Sequence, residues 1–90
     1  METSLNFQKN GQTYQTRFTS SGGGCIVQLE RDENSQVVVY ANLPGMEPTL
    51  ISIVKNQYDT GIMFRLDVPS GIEVTIESVT EVKSAKMFTE

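Results

Sequence analysis

Alternation with a period of two runs through most of this chain and decides what it can fold into. Ile62, Phe64, Leu66 and Val68 fall on one side of an extended segment, with Met63, Arg65 and Asp67 on the other. After Pro69-Ser70-Gly71 the pattern resumes, Ile72, Val74 and Ile76 opposing Glu73, Thr75 and Glu77. In a strand successive side chains point to opposite faces, so each run presents one apolar face and one polar face. A Pro followed by a Gly two residues later suits a tight turn. The expected element is a short hairpin of residues 62–68 and 72–76, carrying the densest part of the core.

The same pattern recurs upstream. Leu5 and Phe7 alternate with Asn6 and Gln8, which predicts a first strand. Asn10-Gly11 is a strong two-residue hairpin signal, expected as a type I′ turn with positive φ at both positions. Tyr14, Thr16 and Phe18 then oppose Gln15, Arg17 and Thr19. Residues 20–24, Ser-Ser-Gly-Gly-Gly, predict a flexible loop. Residues 25–31 predict a strand with Cys25, Val27 and Leu29 on one face, and residues 32–35 a polar turn. Residues 36–42 are apolar on both faces through Val37, Val38, Val39 and Tyr40, which marks a central strand or one covered by a partner. A loop with Pro44 and Pro48 leads to an apolar strand over 49–55, and residues 56–61 turn the chain, with Tyr58 expected at the surface. Residues 79–90 fit a strand or a turn or two of helix; strand is the favoured reading.

These segments give seven to eight short antiparallel strands with turns every seven to twelve residues. The fold class is therefore all-β, one small domain over residues 1–90. The architecture expected is a β-sandwich of Greek-key or jelly-roll type, with a small barrel as the other option. Composition agrees. Of 90 residues, nine are Val and six Ile, and the charged fraction is 20%, which is not a disordered tail. No run approaches the length of a membrane helix.

The chemistry available is narrow. The chain has no His, which removes imidazole catalysis and imidazole metal ligation. Its net charge is -4, with seven basic residues scattered and forming no stripe, so no nucleic-acid footprint is present. The glycine loop lacks the Lys-Ser/Thr pair of a phosphate cradle and opens a strand instead of a helix. Cys25, the single cysteine, has no base beside it and reads as a small strand residue. Asp32, Glu33 and Asn34 offer too few oxygens for calcium and read as a solvated turn. Glu73 and Glu77 share a strand face about 13 Å apart, too far for glycoside hydrolysis. There is no Trp, and most of the seven aromatic residues sit at inward positions, so a sugar-stacking platform is weak. No catalytic, cofactor-binding or metal-ligating residue is assigned, and no enzyme activity is expected. A lone thiol and a start, Met-Glu-Thr-Ser-Leu-Asn, without a basic or apolar leader fit synthesis in a cytoplasm. Met87 and Phe88, in a final stretch 85–90 too poor in apolar residues to form a core element alone, are expected to anchor a docking tail.

Residues 24–29, 37–45 and 63–74 resemble the small β-sandwich accessory proteins of tailed bacteriophage virions. Such proteins sit on or between capsid subunits, or attach at portal and tail. The resemblance is one of length, polarity and strand style, and it carries over no functional residue. It implies an auxiliary or decoration protein made in the bacterial host cytoplasm and housed in the virion. The implied partners are major capsid or other virion subunits and further copies of the chain, with no nucleic acid, membrane or cofactor. The alternative class is a small binding module for a carbohydrate or a host protein.

Overall fold

The computed structural model describes residues 1–55 and 60–89. Nine strands follow one another: β1 (Glu2–Ser4), β2 (Gln8–Asn10), β3 (Thr13–Thr19), β4 (Gly24–Arg31), β5 (Val37–Asn42), β6 (Thr49–Val54), β7 (Gly61–Asp67), β8 (Glu73–Ser78) and β9 (Val82–Thr89). They form two antiparallel sheets, one ordered β1-β9-β4-β7 and the other β2-β3-β8-β5-β6. The all-β expectation holds, with nine strands in place of seven to eight.

The inward alternation positions build the core between the sheets. Val27, Leu29, Ile62, Leu66, Ala85 and Met87 come from the first sheet, and Val37, Val39, Val74 and Ile76 from the second. Each fully buried Val, Leu or Ile is worth about 1.5–3 kcal/mol relative to exposure. Leu5, Phe7, Phe18, Cys25, Phe64 and Val82 are half-buried and pack around this centre.

Four expectations change. The extra strand arises at the start of the chain, where Leu5 and Phe7 form no strand. They lie between β1 in one sheet and β2 in the other, and both side chains pack on the core while the chain crosses over.

Residues 62–68 and 72–76 are not a hairpin. The strands β7 and β8 lie in different sheets, so Pro69-Ser70-Gly71 carries the chain over the edge of the sandwich. The hydrogen bonds of the turn explain this. The Ser20 amide donates to Ile72 O (2.8 Å), Gly71 N donates to Ser20 O (2.9 Å), and Ser20 Oγ donates to Val68 O (2.8 Å). Ser20 thus occupies the partners a hairpin would have used. The glycine loop is therefore docked at its start. A Cβ on Gly22 (φ 84°) would stand 3.2 Å from Ser70 Cβ, so the close approach needs glycine.

The β2–β3 turn has Gly11 and Gln12 at its centre, because Asn10 pairs with Thr13. Gly11 has φ 65°, and no residue other than glycine takes positive φ among the described residues. Positive φ at the first central position alone is the type II′ pattern, not I′.

The segment expected as a docking tail is the body of β9. This strand lies between β1 and β4, and Ala85 and Met87 are buried in the core. The strand reading of this segment over helix holds. Of the two expected anchors, Met87 is buried and Phe88, on the opposite face, is exposed.

Candidate interaction surface

The strand β6, Thr-Leu-Ile-Ser-Ile-Val, has no charge and no proline. It pairs with β5 on one side and closes the second sheet on the other, so one row of its backbone groups has no strand partner among the described residues. Leu50, Ile51 and Ile53 are each about half exposed, and Leu43 and Met46 in the preceding loop extend the apolar surface. That loop turns through a Met46 N to Leu43 O hydrogen bond of 3.0 Å. Proteins usually blunt such an edge with Lys, Pro, inward-pointing charge or a β-bulge. Here the charged residues stand only outside the strand, at Glu47 and Lys55. The strand carries one irregularity: Tyr40 pairs with Leu50 and Val39 with Ser52, leaving Ile51 as an extra residue.

A second apolar spot lies on the outer face of the first sheet. Ile26 pairs directly with Phe88, and Met63 stands diagonal to it through the Gln28–Met63 pair. All three are exposed. Ion pairs flank the spot, Lys86 Nζ to Glu2 at 3.0 Å and Arg65 Nε to Asp67 at 3.2 Å. Exposed pairs of this kind contribute little to stability. Phe88 departs from the inward placement expected of most aromatic residues. Tyr58, expected at the surface, lies outside the described residues.

The chemical candidates are held by local contacts. Burial pushes the Cys25 thiol above its usual pKa, outweighing the hydrogen bond with the Leu66 backbone that favours the thiolate. A thiol kept protonated is a poor nucleophile. Asp32 pairs with Lys83 Nζ at 3.4 Å, and Thr80 Oγ1 donates to Glu33 O. Among the described residues no cluster of three His, Cys, Asp or Glu could hold a metal ion. Glu73 faces Arg17 at 3.6 Å, and Gln15 Nε2 donates to Glu77 at 2.5 Å, so each carboxylate is tied to β3.

A shallow polar concavity of about 490 Å³ is lined by Asn6, Gln8, Lys9, Asn10, Gln15 and Arg17, among others. Its amides are partly spent on each other. Gln15 accepts from Asn10 Nδ2 at 2.9 Å and donates to Glu77. Among the described residues no aromatic ring lines it.

Sequence reasoning missed one unusual residue. Arg31 is fully buried, continuing the inward series Cys25, Val27, Leu29. Its Nε donates to Thr60 O at 2.9 Å. Burial pulls its pKa below the usual guanidinium value, and the Glu30 carboxylate pushes it partly back. The alternation, carried one step further, points to this position.

Among the described residues no helix is long and apolar enough to cross a membrane. Comparison with family models, characterised proteins and solved structures finds no match.

Proposed function

We propose that the chain is a non-enzymatic structural assembly protein, an auxiliary or decoration subunit of a phage capsid or other virion component. The observation that carries this reading is the β6 edge. An uncharged six-residue strand with half-exposed Leu50, Ile51 and Ile53 is a template for strand addition and an aggregation hazard if left bare. A chain that keeps such an edge has a use for it, and main-chain pairing with another subunit is that use. The apolar spot of Ile26, Met63 and Phe88 on the other sheet offers a second contact, as a subunit set among several neighbours needs.

The winding of the chain supports the same reading. The order β1-β9-β4-β7 against β3-β8-β5-β6 is that of a jelly roll, with β2 added beside β3. Jelly rolls build many viral capsid subunits.

The test is co-expression with the products of the neighbouring genes, followed by fractionation by size. The wild-type chain is expected to sediment with a large particle. A Leu50→Lys/Ile53→Lys variant is expected to fold and stay behind. A wild-type chain that remains in the low-mass fraction would overturn the reading. A free chain that binds sugars in the Asn6 and Gln15 concavity would instead favour a carbohydrate module.

A further inference from the structure

We infer that β6 pairs with β6 of a second copy of this chain, antiparallel about a two-fold axis, joining two five-stranded sheets into one. The inference rests on the reading of β6 as a contact edge, and it names the partner. The extra residue in β6 decides which self-paired registers keep like faces together. Its partners on β5 fix which way the side chains face. Thr49 pairs with Ala41, Ser52 with Val39 and Val54 with Val37, whereas Leu50 pairs with Tyr40 and Ile53 with Val38. Paired residues share a face, and Val37 and Val39 belong to the core. Thr49, Ser52 and Val54 are therefore on the inner side of the sheet, and Leu50 and Ile53 on the outer side.

A two-fold axis perpendicular to the sheet keeps inner residues inner and outer residues outer. Centred between Ile51 and Ser52, it sets Leu50 against Ile53 of the second copy, both outer. It sets Thr49 against Val54, both inner. A regular strand would keep like faces together only about an axis centred on a residue, which leaves one of six residues unpaired. The irregularity at Ile51 reverses the parity between the two halves of the strand.

The same alignment sets Lys55 opposite Pro48 of the second copy. Neither Glu47 nor Lys55 forms an ion pair among the described residues, whereas Arg17, Arg65, Lys83 and Lys86 all do. The strand between them is neutral, so two acidic chains meet where neither carries charge. One strand pair buries less than the roughly 1,200 Å² of a stable interface, so the isolated dimer is weak and depends on concentration.

The experiment is sedimentation velocity on the full chain up to millimolar concentration, with Leu50→Glu, Ile53→Lys and their mixture. Wild type is expected to dimerise reversibly. Each variant alone opposes a charge to an apolar residue twice per dimer and is expected to bind itself at least about tenfold more weakly. The mixture opposes Glu to Lys once and Leu to Ile once. It is expected to form a heterodimer about tenfold tighter than either variant's own dimer. Both sites are half exposed, and an unchanged melting temperature for each variant will confirm folding. A wild-type chain that stays monomeric throughout, or a mixture no tighter than its components, overturns the pairing. A monomeric wild type that still sediments with the large particle rejects the self-pairing and leaves the assembly reading standing.

Discussion

Leu66 and Val74 are separated by a single turn, yet they enter the same core from opposite sheets. The chain between them closes the sandwich at one end instead of extending a sheet. Truncation at Leu66 therefore opens space beneath both layers. Leu66→Ala is expected to cost about 2–5 kcal/mol, a large share of the stability of a domain this small. Chemical denaturation measures it. A cost below about 1 kcal/mol would place Leu66 outside the shared core.

Gly11 bears the positive φ of the β2–β3 turn, and nothing lies within 4 Å of where its Cβ would be. The cost of a side chain there is conformational, not steric crowding by neighbours. Gly11→Val is expected to destabilise by about 1 kcal/mol or more. An unchanged melting temperature would mean that the turn does not require the left-handed conformation.

Thr75 lies on the outer face of β8, paired with Arg17 and Tyr40, and is only 3% exposed. Its Oγ1 is buried with no hydrogen-bond partner among the described residues. Valine keeps the shape and the β-branching while removing the stranded hydroxyl. Thr75→Val is expected to raise stability by about 1 kcal/mol. A fall in melting temperature would show that the hydroxyl is in use.

Cys25 gives a pH dependence of defined sign. Its pKa in the folded chain is raised, chiefly by burial. The unfolded chain therefore loses the thiol proton first as pH rises. The stability this group contributes is complete below the unfolded pKa and is lost as pH climbs through the folded one. Cys25→Ser is expected to flatten the alkaline limb of a stability-against-pH curve. Native Cys25 is also expected to react with iodoacetamide more slowly than the unfolded chain at the same alkaline pH. Equal rates would contradict the burial argument.

Alternation made the inward faces legible: Val27, Leu29, Ile62, Leu66, Val74 and Ile76 are buried as their spacing requires. It could not say which strands share a sheet. A three-residue turn such as Pro69-Ser70-Gly71 closes a hairpin or crosses to the other layer with the same residues. The choice is made by Ser20, far away in sequence, which takes the Ile72 carbonyl and the Gly71 amide. The C-terminal segment was ambiguous for a related reason. Ala85 and Met87 are too few to define a core strand until β1 and β4 flank them. At the candidate surface, the apolar run of β6 was plain in the sequence, but its place at an edge was not. A central strand such as β5 and an exposed edge such as β6 carry the same residue types, and only the sheet order separates them.

Assembly through β6 requires that this strand be an open edge used for contact. Amide hydrogen exchange of Thr49–Val54, resolved residue by residue, tests this most directly. In the dilute chain, the β6 amides not bonded to β5 are expected to exchange far faster than those of β5 and β8. On assembly those same amides are expected to slow, while protection elsewhere in the second sheet stays as it was. A β6 already as protected as β5 in dilute solution, or one unchanged on assembly, would contradict the account.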